Sequence, residues 1–364
     1  MAFSGCESLQ SVSLPDSLTT IEDWAFYSCD ALSGITLPDS LTSIGTEAFS
    51  LCLSLSGITL PDSLTSIGDS AFSFCYSLSA ITIPDSVVTI GTNPFMACLN
   101  LTQISASPDC AFAVIDGVLF EKSTKRLVCY PRAFTATDYS VPEGILSIGD
   151  YAFYDCNDLL GITLPDSLTS IGNKAFSYCH SLNSISLPNA LTSIGDYAFF
   201  SCRSLSGIEP PNSLTTIGEY AFSLCVSLNS INLPASLTAI GDYAFFGCSS
   251  LLSITLPDSL TSIGDGAFHD CTSLCNVTIL DSAATVGTNP FAGCVSLTRI
   301  IASPDSTLAV IDGVLFEKST KRLVCYPCAF TVTDYSVPEG ILSIGGMAFS
   351  GCESLQSVSL PDSL

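Results

Sequence analysis

One feature constrains this chain more than any other: a short pattern returns along nearly its whole length. Ala-Phe or Pro-Phe, followed three residues later by Cys, starts at Ala2, Ala25, Ala48, Ala71 and Pro94. It resumes at Ala152, Ala175, Ala198, Ala221, Ala244, Ala267 and Pro290, and returns at Ala348. Most steps are 23 residues, but Pro94 to Ala152 and Pro290 to Ala348 are each 58. A fixed period of this size is the mark of a repeat architecture.

Within one period, Leu32-Ser33-Gly34-Ile35-Thr36-Leu37 alternates apolar and polar, the period of two of a half-buried strand. Pro38 ends ladder pairing, Asp39-Ser40 favours a turn, and Leu41 and Ile44 point back inward. Gly45 is read as a position of unusual backbone conformation, and Ala48-Phe49 with Cys52 closes the coil. About seven inward residues cannot offset the chain entropy of an isolated repeat. Stacking buries both faces, so the pattern predicts a β-rich solenoid with coils ~4.8 Å apart.

The order L-x-x-I-x-L-P, then S-L-T-S-I-G, then A-F-x-x-C resembles the leucine-rich repeats of the BspA-like (Treponema pallidum-type) family. That resemblance implies a right-handed leucine-rich-repeat superhelix, with a parallel strand on one face. It also implies a secreted or cell-surface protein associated with adhesion to host proteins, cells or polysaccharide. No catalytic motif of the family transfers. The expected organisation is one continuous solenoid over residues 1–364, interrupted by insertions at about 106–140 and 302–336.

The two insertions share AVIDGVLFEKSTKRLVCYP at residues 113–131 and 309–327. Val118–Glu121 and Arg126–Tyr130, flanking Lys122-Ser123-Thr124-Lys125, predict a β-hairpin. The D-G-V-L-F and L-V-x-Y-P pieces are also similar to insertions of BspA-like proteins. Lys122, Lys125, Arg126, Lys318, Lys321 and Arg322 are six of the ten basic residues, so the hairpins read as basic patches on an acidic chain. They are a candidate contact point, since opposite charge steers association. Against this, Lys-Ser-Thr-Lys-Arg is also an ordinary solvated tip that protects a strand edge.

Thirteen of 18 cysteines share one repeat position: Cys6, Cys29, Cys52, Cys75, Cys98, Cys156, Cys179, Cys202, Cys225, Cys248, Cys271, Cys294 and Cys352. Side chains in register point the same way rather than at each other, which favours a packed thiol ladder over disulfides. A Thr column (Thr36, Thr59, Thr82, Thr163, Thr255, Thr278), interrupted by Ser186, Glu209 and Asn232, reads as strand packing rather than a ligand lattice. The Asp column after Leu-Pro or its equivalent (Asp16, Asp39, Asp62, Asp85, Asp166, Asp258, Asp281) reads as solvated turns rather than a Ca²⁺ array. Asn100 and Asn276 begin N-glycosylation acceptor triplets.

The net charge is −24, which argues against nucleic-acid backbones and anionic membranes as partners. No apolar run is long enough to span a bilayer, so no membrane span is expected. His180 and His269 are 89 residues apart, at what reads as outward surface. With no phosphate loop, nucleophile elbow or metal-ligand spacing, no enzyme activity, cofactor or metal is expected. Finally, residues 1–18 and 347–364 are identical, at an offset of 346, which is ten steps of 23 and two of 58. No capping repeat or leader is evident at either end. The chain therefore reads as a segment of a longer array, a structural protein that self-associates end to end into a filament. The alternative is an adhesin that contacts a host protein or polysaccharide.

Overall fold

The structure is a computed structural model, and it describes residues 1–280 and 285–364. It divides into two compact units. The first comprises Met1–Thr137, Pro142–Leu159 and Ile171–Cys179; the second comprises Asp138–Val141, Leu160–Ser170 and His180–Leu364. Each unit is a β-solenoid with 23-residue spacing, and no helix occurs among the described residues.

In the first unit, Thr20–Ile21, Ser43–Ile44, Ser66–Ile67 and Thr89–Ile90 pair in parallel, each Ile opposite the next. A second ladder pairs Ala80–Ile83 with Gln103–Ala106. The second unit repeats the Ser-Ile ladder from Ser193–Ile194 through Thr216–Ile217, Ala239–Ile240 and Ser262–Ile263 to Thr285–Val286. Strands are this short because the chain must turn several times within 23 residues. One turn is Pro38-Asp39-Ser40-Leu41, closed by Leu41 N–H to the Pro38 carbonyl at 3.0 Å.

The Ala-Phe segment shows why the pattern needs small and aromatic residues together. Trp24 and Ser28 adopt left-handed backbone angles, both with φ of 54°. Amide protons then alternate in direction. Those of Ala25, Tyr27 and Cys29 bond three residues back, while those of Trp24, Phe26 and Ser28 donate to Thr46, Ala48 and Ser50 of the next coil at 2.8–2.9 Å. The Phe rings stack as a column: Phe3, Phe26, Phe49 and Phe72 lie 5.1–5.4 Å apart, and Phe199 through Phe291 do the same at 5.1–5.6 Å. Each fully buried Phe or Leu contributes roughly 1.5–3 kcal/mol, so stacking supplies the core that one coil lacks.

Gly45 corrects the sequence expectation, because its backbone is not left-handed. A Cβ there would lie 2.6 Å from the Asp23 nitrogen and 2.7 Å from the Glu22 carbonyl carbon. The glycine is needed for close approach of neighbouring main chains, not for an unusual angle.

Candidate functional site

A concave groove of about 790 Å³ lies on the strand face of the second unit. Asp138–Ser140, Gly161–Thr163 and Ser184–Ser186 form its floor in register, with Gly207–Ile208 and Ser230–Ile231 paired beyond them. Ile162, Ile185, Ile208 and Ile231 are buried beneath, so their neighbours on either side face outward. The outward residues are Asp138, Ser184, Ser186, Glu209, Ser230 and Asn232, with Asn189 and Asn212 at the rim. The three coils that interrupt the Thr column thus line the groove together with Asp138–Ser140 and the Thr163 coil. Gly161 leaves room for the Asp138 carboxylate, whose Oδ1 would lie 2.7 Å from a Cβ there.

The insertions are more than hairpins. Phe112–Ile115, Val118–Glu121 and Arg126–Cys129 form a three-stranded antiparallel meander, and Arg126–Leu127 then pairs in parallel with Ser147–Ile148. The second copy does the same with Leu308–Ile311, Val314–Glu317, Arg322–Cys325 and Ser343–Ile344. The additional strand, which the sequence reading missed, enters through Asp116-Gly117, with φ of 50° and 81°, a two-residue turn of the kind Asp-Gly pairs favour.

The basic residues of these meanders are largely occupied internally, contrary to the picture of a free basic patch. Lys122 Nζ donates to the Pro108 and Cys110 carbonyls at 2.7 and 2.6 Å, and Lys318 to Pro304 and Ser306 at the same distances. Arg126 pairs with Glu121 at 3.1 Å and donates to the Ile90 carbonyl at 3.1 Å. Arg322 pairs with Glu317 at 3.3 Å and donates to the Val286 carbonyl at 2.6 Å. In ordinary coils that acceptor takes a glycine N–H, as Gly45 gives to Ile21 at 2.8 Å. The arginines thus replace a ladder donor that the insertion displaces. Lys125 and Lys321 are exposed at the tips.

All 18 cysteines are free thiols. Along the column, thiols donate to the carbonyl of the Phe 26 residues earlier, for example Cys52 to Phe26 at 3.2 Å and Cys225 to Phe199 at 3.2 Å. Burial pushes the Cys52, Cys98, Cys179 and Cys225 thiols up to about 12. Cys6 is exposed and Cys352 half-buried, so the ladder is not uniformly packed. Asn100 is exposed and donates to the Tyr76 carbonyl at 2.7 Å; Asn276 is exposed on its strand. Asp16, Asp39, Asp62, Asp85, Asp166 and Asp258 are exposed, and Asp281 lies outside the described residues. Both histidines are half-buried rather than outward: His180 Nδ1 is 2.8 Å from the Ser201 carbonyl, and His269 stacks on Phe246.

The model of the "BspA type Leucine rich repeat region (6 copies)" matches residues 1–125, 129–251, 238–324 and 318–364. The chain belongs to the BspA-type leucine-rich repeat family. It is similar to the crystal structure of a leucine-rich repeat protein from Eubacterium ventriosum, at 27% identity and TM-score 0.58, over 72% of this chain and 82% of that one. It is also similar to a leucine rich cell surface protein from Faecalibacterium prausnitzii, at 30% identity and TM-score 0.49, over 74% and 79%. The T. pallidum leucine-rich repeat protein matches at 31% identity and TM-score 0.45, over 51% and 87%. No curated protein matches this sequence. BspA-type repeats and their solenoid fold are generally non-catalytic. Among the described residues no helix is long and apolar enough to cross a membrane.

Sequence reasoning missed three polar roles inside these BspA-type coils. The Ser of L-P-D-S-L donates its Oγ to a Leu carbonyl of the preceding coil, as Ser63 does to Leu41 and Ser259 to Leu237 at 2.6–2.7 Å. A second set of Asp residues, after the repeat glycine, caps the next coil: Asp69 accepts from Thr92 N–H at 2.6 Å and Asp196 from Glu219 N–H at 2.8 Å. The buried Asn93 and Asn289 donate across the 58-residue steps to the Tyr151 and Met347 carbonyls, each at 2.8 Å. The signal for the second role was present, since Asp recurs there at Asp23, Asp69, Asp150, Asp196, Asp242 and Asp265.

Proposed function

We propose that this chain is a non-enzymatic, extracellular binding module whose polar strand face takes a neutral, hydroxyl-rich ligand, a glycan segment of a host or neighbouring surface. The observation that carries this reading is the groove of the second unit. There, Ser, Asn and carboxylate side chains stand in rows on rigid strands over buried Ile. Such rows offer a sugar chain both donors and acceptors. Asp138 and Glu209, in a chain of net charge −24, disfavour sulfated or uronic ligands. The extracellular placement is supported by the BspA-like resemblance of the repeats. Calorimetric titration with a panel of neutral oligosaccharides tests the proposal. Saturable binding is expected, and it is abolished by Ser186→Trp or Gly207→Trp, which fill the groove. Absence of binding across the panel, or an unchanged isotherm in both variants, overturns it.

A second reading is an array that extends by stacking into a filament, and one observation favours it. Residues 1–18, identical to 347–364, are covered in the first unit by the next coil: Phe3 stacks on Phe26 at 5.1 Å and its N–H meets the Ala25 carbonyl at 2.7 Å. Residues 347–364 of the second unit carry the same sequence. A surface with this sequence is complementary to further coils like 24–46. Sedimentation of the purified chain tests it. Growth into concentration-dependent polymers is expected, suppressed by Val358→Lys; a strictly monomeric species at all concentrations overturns it.

A further inference from the structure

The two insertions are identical over residues 113–131 and 309–327, but the next residue is Arg132 in the first and Cys328 in the second. Arg132 meets two carboxylates of the following coil, Asp155 at 3.2 Å and Asp158 at 3.7 Å. In the second copy both carboxylates are absent too, since Gly351 and Ser354 occupy their places. The charged link has been replaced as a set.

Its replacement is a pair of thiols. Tyr326 packs on Phe349 at 5.3 Å, as Tyr130 does on Phe153 at 4.9 Å, which places residue 328 opposite 351. Gly351 has no side chain and a φ of 78°. Cys328 is therefore free to lie diagonally against Cys352, with the two sulfurs 3.7 Å apart. Column cysteines in register, by contrast, point the same way and hydrogen-bond to carbonyls deep in the core. Cys328 and Cys352 are partly accessible.

We infer that Cys328 and Cys352 are a redox-active pair that closes to a disulfide on exchange with a small-molecule disulfide such as oxidised glutathione. The thiolate of Cys328 attacks one glutathione sulfur, forming a mixed disulfide and releasing one glutathione thiolate. Cys352 then loses its proton to water or to that thiolate, attacks Cys328 Sγ and expels the second glutathione. Two protein thiols are oxidised by two electrons, and one glutathione disulfide is reduced to two thiols. The S–H of Cys352, donated to Cys328, holds the Cys328 thiol below its ordinary range and Cys352 above it. That order makes Cys328 the attacking sulfur and Cys352 the resolving one. The sulfurs need to approach from 3.7 Å to about 2.05 Å.

The bond would tie the meander to residues 347–364, whose strand Ser357–Ser359 pairs with Asp334–Ser336. The test is to incubate the folded chain with oxidised glutathione, block remaining thiols with iodoacetamide and map peptides by mass. A Cys328–Cys352 linkage is expected, with proteolysis within residues 331–364 slowed about tenfold or more. The accessible Cys6 and Cys275 are expected to carry glutathione instead. Cys328→Ser should leave Cys352 blocked or glutathionylated and remove the protection. Alkylated Cys328 and Cys352 after oxidation, glutathione on each, or a linkage elsewhere overturns the inference. The mapping on the unaltered chain decides even if a variant fails to fold.

Discussion

Coil spacing is set where main chain meets main chain, and Gly241→Ala measures how firmly. Gly241 is not left-handed, so alanine is allowed by its dihedral angles. The cost is purely steric: a Cβ would lie 2.5 Å from Glu219 N, 2.6 Å from Gly218 C and 2.8 Å from Gly218 O. Ordinary contact is about 3.5 Å or more, so the coils must part by roughly 1 Å. That stretches the bonds from Gly241 N–H to Ile217 O at 2.9 Å and from Thr238 N–H to Thr215 O at 2.8 Å. Overpacking costs about 1–3 kcal/mol, and weakening two ladder bonds adds about 0.5–1 kcal/mol each. A local loss of about 3 kcal/mol corresponds to exchange on the order of 100-fold faster. Stability in a repeat array is a sum of local interfaces, so hydrogen exchange of peptides around residues 215–241 is a better readout than a single melting temperature. Gly34→Ala is the control, since nothing lies within 4 Å of its Cβ position. It is expected to be neutral or to stabilise by about 0.4–1 kcal/mol. Exchange in Gly241→Ala within about twofold of the parent chain, or an equal effect of both changes, refutes the close-approach argument.

Three further outcomes follow from the same geometry. Arg126→Ala leaves the Ile90 carbonyl without its charged donor and should cost about 1.5–3 kcal/mol locally, read by hydrogen exchange at residues 89–91 and unmatched by Lys125→Ala. Stability should fall as pH rises from 9 toward 12, because the folded thiols of Cys52, Cys98, Cys179 and Cys225 keep protons to about 12 that the unfolded chain loses near 9. Below pH 9 this contribution is constant; a denaturant midpoint unchanged between pH 8 and pH 11 would count against it. Asp196→Ala removes the cap on Glu219 N–H and should cost about 1 kcal/mol, whereas Asp258→Ala at an exposed turn should stay within about 0.5 kcal/mol, as paired urea titrations would show.

The solenoid was legible because its cause is written once per coil. Leu41, Ile44, Ala48, Phe49 and Cys52 read as inward from periodicity alone, and all are buried. What could not be read were the contacts between coils. Periodicity says that a residue recurs, but not whether it recurs for its own coil or for the next one. Gly45 looked like a residue chosen for its backbone freedom; only the position of Asp23, 22 residues earlier, shows that it is chosen for its missing Cβ. The same blindness applied to the two Asp columns. The one after Leu-Pro drew attention and is solvated, while the one after Gly caps the neighbouring coil. The groove was hidden because interruptions of the Thr column read as spoiling a regular surface, when Ser186, Glu209 and Asn232 line it beside Thr163.

The basic residues of the insertions show how a 58-residue step is accommodated without a gap in the ladder. A stack of coils needs an unbroken supply of donors on one side and acceptors on the other. Leu127 takes the rung of a repeat Ile, receiving Gly149 N–H at 2.8 Å, and Tyr130 takes the rung of a repeat Phe, giving its N–H to the Ala152 carbonyl at 2.8 Å. The insertion is therefore itself a coil, reached by a detour through two extra strands. The detour displaces one main-chain donor, and Arg126 restores it at the Ile90 carbonyl; Asn93 spans the remaining distance to Tyr151. The two arginines of the candidate basic patch are committed to this repair, one in each copy. Lys122, Lys125, Lys318 and Lys321 are exposed, and exposed lysines of this kind make weak anchors. The glycan-binding reading proposed above uses the strand face instead, where polar side chains stand in rows over buried Ile.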